Sequence, residues 1–245
     1  MNNSHDYIIA THQTDAALAL AKAIALPFLS RHGLEKLELE QFRAVVASAQ
    51  DDLNRADIAS RIANAVRPEL VEQIGDDDIL VQSNCYLRAT RPNVGATQEA
   101  VGWHRESLYG PDMHASFNVW TPVANVSIDN TLMYVPDSAA IPDADIKLDQ
   151  VDDPQTPRFS AGHKIGLLYA PKHIVGGVDF TKAMPMIVPD GASSIFSGDL
   201  IHGAANNRSN AIRISIDFRT IAKKNYTTSK QHFTSSKPYF VELAA

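Results

Sequence analysis

The hydrophobic residues in the first third of the chain recur every three or four positions, the spacing of one face of an α-helix. Segment 14–33 shows this pattern with Ala, Leu and Ile and ends at Gly33. It contains Pro27, which we expect to kink or shorten the helix. Segments 37–50 and 55–75 repeat the pattern. We therefore predict a helical N-terminal part over residues 1–76.

From residue 77 onwards the pattern changes to alternation with a period of two, which is typical of β-strands. In segment 79–91 the polar face consists of Gln82, Asn84, Tyr86 and Arg88. Short strand-like segments separated by Pro, Gly, Asn and Asp follow at 116–123, 130–138, 163–171, 184–191, 192–198 and 211–221. Many short strands without helices between them predict an antiparallel barrel or jelly roll over residues 77–222. The predicted fold class is mainly β with N-terminal helices.

Two polar segments lie between or after these strands. Residues 141–161 contain three Pro and several Asp and predict a long surface loop. Residues 223–245 form a polar tail rich in Ser and Thr. The length of 245 residues allows one large domain or two small ones, and we predict a single domain.

Composition narrows the classes of function. The formal net charge of −6 leaves no basic excess, so nucleic-acid binding is not expected. The single cysteine, Cys85, excludes an intrachain disulfide and a Cys-rich metal site. No apolar run reaches about 20 residues, and the start lacks a basic and apolar export sequence. We expect a cytoplasmic protein that acts on a small molecule without membrane contact, and the oligomeric state is left open.

Two places in the predicted β-core carry residues that bind metals. The first is His104-Arg105-Glu106, where an extended backbone would turn His104 and Glu106 to the same side. With nine His and 28 acidic residues, about one His-x-acid triplet is expected by chance, so the triplet alone is weak. The second place contains His202, which follows an apolar strand and precedes Gly203. His114 is a rival ligand beyond Gly110.

The strand after His202 has one apolar and one polar face. Ile212, Ile214, Ile216 and Phe218 alternate with Arg213, Ser215, Asp217 and Arg219. The polar face either lines a cavity or belongs to a solvated edge strand. Two His and one carboxylate form the facial triad of non-haem Fe(II) oxygenases, which leaves positions open for a co-substrate and O₂. A dicarboxylic co-substrate also needs a fixed cation, and an Arg with a neighbouring Ser hydroxyl suits that task.

Three stretches together resemble a known family: WHRESLYGP (103–111), FNVWTPVANVSIDNTLMYVPDSA (117–139) and SGDLIHGAANNRSNAIRISIDFR (197–219). They resemble the Fe(II)/2-oxoglutarate-dependent dioxygenases, and most of all the phytanoyl-CoA dioxygenase-like branch with its small bacterial biosynthetic hydroxylases. The resemblance covers residues 80–221. It implies a double-stranded β-helix, the cupin-like jelly roll, and the cofactors Fe(II), 2-oxoglutarate and O₂.

Carried over by position, the resemblance implies that His104, Glu106 and His202 are the iron ligands. Arg213 would bind the C5 carboxylate of 2-oxoglutarate with Ser215 beside it, and Trp120 and Asn118 would lie near the co-substrate. Arg219 shares a face with Arg213, so it is either the alternative anchor or a substrate contact. Asn84, Tyr86 and Arg88 are the other candidate substrate contacts.

Glu106 departs from the family, which usually has Asp at this position. The carboxylate is kept, and its presence argues against the halogenating relatives, in which a small residue replaces the acid. The implied activity is hydroxylation, desaturation or cyclisation of a small polar metabolite, such as an amino acid or antibiotic precursor, with release of succinate and CO₂. Two alternatives remain: a cupin-like metal-dependent isomerase or hydrolase, and a non-catalytic jelly-roll module that binds a small anion.

Overall fold

The computed structural model describes residues 6–31, 33–93, 101–150, 161–164, 172–204, 206–227 and 237–244. The α-helices are α1 (Ala16–Leu29), α2 (Leu39–Arg55), α3 (Ile58–Ala65), α4 (Arg67–Ile74) and the short α5 (Ala161–Lys164). The strands are β1 (Tyr7–Thr11), β2 (Ile79–Gln82), β3 (Tyr86–Thr90), β4 (Ser116–Ala124), β5 (Leu132–Tyr134), β6 (Lys147–Gln150), β7 (Lys172–Gly176), β8 (Met184–Pro185), β9 (Ala192–Ser197), β10 (His202–Ala204), β11 (Arg213–Ala222) and β12 (Phe240–Glu242).

The helices form where helical spacing predicted them. Helix α1 ends at Leu29, two residues after Pro27, in agreement with the expected shortening. Helix α2 turns Phe42, Val46 and Leu53 into the protein interior. Within the described ranges, no helix combines the length and the apolar character that crossing a membrane would require.

The strands form an antiparallel β-core, as predicted. The main sheet has the order β1-β9-β4-β11-β2-β12, with β3 also paired to β11. A second sheet has the order β10-β5-β8, and β6 and β7 form a separate two-stranded sheet. The fold is therefore mainly β with helices near its N-terminus, which confirms the predicted fold class.

Strand β11 lies in the middle of the main sheet, since β4 pairs with one of its edges and β2 and β3 pair with the other. Its apolar residues Ile214, Ile216 and Phe218 are fully or almost fully buried in the core that the helices cover. Its polar residues therefore point to the opposite side, where Arg213 and Asp217 line a cavity. The edge-strand alternative is thereby excluded for this segment.

The segment 79–91, predicted as one strand, is interrupted between β2 and β3. The side chain of Asn54 accepts a hydrogen bond from the backbone N–H of Cys85 at 2.9 Å, and the N–H of Ser83 donates to the carbonyl of Tyr239 at 2.9 Å. These contacts take the backbone groups that a continuous ladder would need. The interruption lets β2 pair with β12, whereas β3 pairs with β11.

Other strands lie where the sequence predicted none. Strand β1 precedes the helices and pairs with β9, β12 in the tail pairs with β2, and β6 lies in the predicted loop. All three are short, and β1 and β12 are paired with strands far away in the sequence. Of the predicted strand 163–171, residues 163–164 belong to α5, and the rest lies outside the described residues.

Candidate metal centre

His104 and His202 meet through a short antiparallel bridge. The backbone N–H of each residue donates to the carbonyl of the other at 3.0 Å. Arg105 is extended (φ −142°, ψ 152°), so His104 and Glu106 point to the same side, as the sequence predicted. Glu106 then begins a 3-10 helix that ends at Tyr109. The bridge thus brings His202 beside two residues that are neighbours in the sequence.

The three side chains offer ligand atoms that all lie within 4.8 Å of one another. His104 Nε2 is 3.6 Å from Glu106 Oε1, and His202 Nε2 is 3.8 Å from Glu106 Oε2. All three residues are buried. His114, the rival ligand, contacts Asp199 with its Nδ1 at 2.8 Å and is not part of this cluster.

Hydrogen bonds to the backbone orient both imidazoles. His104 Nδ1 lies 2.8 Å from the carbonyl of Gly102, and His202 Nδ1 lies 2.9 Å from the carbonyl of Leu200. A carbonyl only accepts, so each Nδ1 carries the proton and each Nε2 lone pair is left for the centre of the cluster. Gly203 permits the close approach of the two segments, because a Cβ there would lie 3.3 Å from backbone atoms of Gly102 and Trp103.

The protonation states suit a divalent metal. Burial lowers the pKa of His202 to about 4, so its imidazole is neutral near pH 7. Burial alone would raise the pKa of Glu106, but the neighbouring His202, Arg219 and His104 side chains outweigh it and hold that pKa well below the usual range. Two imidazole nitrogens and one ionised carboxylate are the donor set that non-haem iron takes. The residues therefore fit an iron ion.

A cavity adjoins the cluster and contains a buried cation. Arg213 is 2% exposed, and its Nη1 donates to Ser215 Oγ at 2.6 Å. Within the described part of the chain, its Nε has no hydrogen-bond partner and its guanidinium has no acidic partner. Burial and the positive charge of Arg88 lower the pKa of Arg213 to about 10, so it stays charged at neutral pH. Trp120 also lines this cavity, and its buried Nε1–H has no partner among the described residues.

The other candidate residues lie around the cluster in different ways. Asn118 lines the cavity and donates from Nδ2 to Glu106 Oε2 at 2.7 Å. Arg219 is buried and donates from Nη2 to Glu106 Oε1 at 3.0 Å. Arg88 lines the cavity and pairs with Asp217 through two hydrogen bonds of 2.6 and 3.2 Å.

Two further candidates are buried without lining this cavity. The ring of Tyr86 lies beneath the guanidinium groups of Arg88 and Arg219, at 4.8 and 5.7 Å. Asn84 is buried in the interruption between β2 and β3. The functional roles given to all these residues in the sequence analysis stay predictions.

Sequence reasoning missed Tyr239 and Tyr109. The hydroxyl of Tyr239, which immediately precedes strand β12 of the tail, accepts a hydrogen bond from Arg219 Nη1 at 2.9 Å. The ring of Tyr109 lies 5.9 Å from the same guanidinium. Tyr109 lies three residues after Glu106, and this closeness in sequence could have indicated that it belongs to the site. No pattern in the polar tail indicated Tyr239.

A jelly-roll core with a buried cluster of two His and one carboxylate defines the class of non-haem iron oxygenases. The family model of phytanoyl-CoA dioxygenase (PhyH) matches residues 9–215. The chain belongs to this family. The match confirms the family predicted from the sequence, and with it a dioxygenase-type enzyme that uses iron, 2-oxoglutarate and O₂.

Solved structures share the fold. The non-heme monooxygenase ThoJ in its apo form is 17% identical, covering 89% of this chain and 74% of its own, with a TM-score of 0.52. EctD from S. alaskensis, also an apoform, is 15% identical over 97% of this chain and 79% of its own, with a TM-score of 0.52. AviO1 from Streptomyces viridochromogenes Tue57 is 16% identical over 89% and 90%, with a TM-score of 0.50. At these identities the likeness extends to the fold alone. No curated protein matches the chain significantly.

Proposed function

We propose that the chain is an Fe(II)- and 2-oxoglutarate-dependent oxygenase that hydroxylates, desaturates or cyclises a small polar metabolite, such as an amino acid or an antibiotic precursor. Succinate and CO₂ are the co-products. One observation carries this proposal: the buried cluster of His104, Glu106 and His202 adjoins a cavity in which the buried Arg213 has no acidic partner among the described residues.

The proposed iron ligands are His104 Nε2, His202 Nε2 and the Glu106 carboxylate. Three protein ligands leave coordination positions open for a 2-oxo acid and O₂. When bound, iron supplies the redox chemistry that couples oxidative decarboxylation of the co-substrate to oxidation of a C–H bond. The protein's own task is to hold the ligands in place, to bind the co-substrate and to exclude water.

Arg213 and Ser215 form the proposed carboxylate site. A guanidinium binds a carboxylate through two parallel hydrogen bonds, and the Ser215 hydroxyl, 2.6 Å from Arg213 Nη1, fixes one side of that fork. The cavity wall beside them includes the apolar side chains of Leu132 and Phe196, which belong to one buried cluster. Apolar walls exclude water, and this strengthens the charge-assisted contact.

The charges of the cavity favour a small polar substrate. Arg88 and Asp217 both line it and form a partly buried ion pair, with side chains 15% and 17% exposed. The two groups satisfy each other, so the pair adds no net charge to the cavity but makes this part of its wall polar. A polar wall supports a small polar substrate over a hydrocarbon chain.

An anaerobic titration with Fe(II) and then 2-oxoglutarate tests the proposal. We expect stoichiometric iron binding, a weak visible charge-transfer band on addition of 2-oxoglutarate, and succinate formation in air with a member of an amino-acid panel. Metal binding without any spectral change on addition of 2-oxoglutarate would refute the oxygenase and favour the isomerase or hydrolase. A chain that binds no metal would instead be a non-catalytic binding module.

A further inference from the structure

The carboxylate of Glu106 is held on both oxygens by side chains from two neighbouring strands. Asn118 of β4 donates to Oε2 at 2.7 Å, and Arg219 of β11 donates to Oε1 at 3.0 Å. Asn118 and Arg219 are directly opposite each other in the β4–β11 ladder. The carboxylate of Glu106 therefore lies over one cross-strand pair and receives one donor from each strand.

Arg219 is itself fixed by several contacts. Its Nη1 donates to Tyr239 Oη at 2.9 Å and to Gln82 Oε1 at 3.3 Å. The rings of Tyr86 and Tyr109 lie 5.7 and 5.9 Å from its guanidinium carbon. The side chain is 9% exposed, and its charge is balanced by Glu106. These contacts leave the guanidinium in one orientation, with Nη2 aimed at Glu106.

A glutamate needs such contacts more than an aspartate does. Its side chain has one more rotatable bond, and fixing it costs more conformational entropy. With one donor on each oxygen, Glu106 is held with Oε1 3.6 Å from His104 Nε2 and Oε2 3.8 Å from His202 Nε2. Hydrogen bonds from surrounding side chains commonly orient a metal-binding carboxylate in this way.

We propose that Asn118 and Arg219 are positioning residues that hold the Glu106 carboxylate in place as a metal ligand, and that Tyr239 positions Arg219. This inference rests on the proposed metal site. It assigns Arg219 a role other than binding the substrate or the co-substrate. It also makes the C-terminal segment around Tyr239 part of the support of the metal centre, although that segment lies more than 30 residues beyond His202.

Binding of Co(II) to the metal-free chain, followed by calorimetry, tests this inference without turnover. A given site generally binds Co(II) more tightly than Fe(II), so the affinity of weakened variants remains measurable. We expect Asn118→Ala and Arg219→Lys each to weaken binding about 10- to 100-fold. Lys keeps the positive charge but cannot contact Glu106, Gln82 and Tyr239 at once. A fall in affinity for Arg219→Lys therefore reports lost positioning, because the charge near the metal is unchanged.

Tyr239→Phe should weaken binding about two- to tenfold, the effect of one lost hydrogen bond. Tyr226→Phe is the matched control. Tyr226 and Tyr239 both pack against Phe240 at 4.9 Å between ring centroids, but only Tyr239 hydrogen-bonds Arg219. Tyr226→Phe should bind Co(II) like the unchanged chain, and equal losses in both variants would overturn the proposed role of Tyr239.

A Glu106→Ala background separates positioning of Glu106 from a general structural role. If Asn118 and Arg219 act through Glu106, their substitution should change Co(II) affinity less than twofold once that carboxylate is absent. A loss that persists in this background would overturn the inference, as would unchanged affinity in the single variants. If the unsubstituted chain binds no Co(II), both the metal site and the positioning role are refuted. If it binds Co(II) normally and the variants bind equally well, only the positioning role is refuted.

Thermal unfolding of each metal-free variant checks that the variant is folded. If Arg219→Lys does not fold, Tyr239→Phe provides a milder test of the same contact.

Discussion

Arg213 provides the strongest test of the co-substrate site. It is the cation of the cavity that has no acidic partner among the described residues, and it is almost fully buried. In Arg213→Ala, a carboxylate entering the cavity would lose its charge-assisted partner and stay desolvated beside Leu132 and Phe196. Leaving one member of a buried, hydrogen-bonded charge pair alone costs about 2–5 kcal/mol. The dissociation constant of 2-oxoglutarate should therefore rise by roughly 30-fold to several thousand-fold.

The measurement is an anaerobic titration of 2-oxoglutarate into the Fe(II)-loaded protein, with Fe(II) affinity measured separately. Iron binding should be nearly unchanged, since Arg213 donates to Ser215 and not to a metal ligand. Arg213→Lys and Arg88→Lys form a matched pair, because both keep the charge and lose the planar fork. We expect a substantial loss of 2-oxoglutarate affinity only in Arg213→Lys, since Arg88 is already paired with Asp217.

The outcome also decides between the two candidate anchors. A normal dissociation constant for Arg213→Ala, together with a large rise for Arg219→Ala, would move the anchor to Arg219 and refute the reasoning from unpaired charge. If neither variant changes the dissociation constant, neither arginine binds the dicarboxylate. The anion-binding function that we propose for this cavity would then lack its main support.

Four further predictions concern the same site and the stability of the fold. His104→Ala or His202→Ala should lose most Fe(II) affinity and all turnover while remaining folded, and normal iron stoichiometry by metal analysis would contradict the triad. Glu106→Asp should keep partial activity and Glu106→Gly none, as product analysis with and without added chloride can measure. Ser215→Ala should weaken 2-oxoglutarate binding by about 1.5–3 kcal/mol, the value of one hydrogen bond to a charged group, in the same anaerobic titration. Burial lowers the pKa of His12 from 6.5. Below about pH 6.5 the unfolded chain therefore takes up a proton at His12 that the folded chain does not, and the free energy of unfolding should fall as the pH drops. His12→Asn should flatten this fall in the thermal midpoint, and an identical pH profile would show that His12 does not cause it.

The parts of the fold and site that the sequence predicts are those set by local geometry. Alternation along 212–219 separates an apolar face from a polar one, and the structure confirms that separation. The i, i+2 relation of His104 and Glu106 is equally local, since it needs only an extended Arg105. Helical spacing before residue 76 has the same character.

The unpredicted parts depend on contacts between distant segments. Strands β1 and β12 are five and three residues long, too short for a periodic pattern, and their partners lie more than 150 residues away along the chain. The contact of Arg219 with Tyr239 forms because β12 returns to the sheet beside β2. No local pattern in the polar tail indicates this return.

The alternating pattern of β11 places Arg213 and Arg219 on the same face but does not distinguish their roles. Both lie on the polar face of β11, six residues apart, so their Cα atoms are separated by roughly 20 Å. At that separation the two guanidinium groups serve different ends of the site. Arg219 contacts the carboxylate of Glu106, which the protein itself supplies. Arg213 has no acidic partner in the described chain. Since Arg88 is neutralised by Asp217, the charge left for a ligand is that of Arg213, at the end of β11 remote from Glu106. The pairing of the protein's own acids, which only the folded structure reveals, therefore distinguishes the two arginines and supports the division between metal support and co-substrate binding.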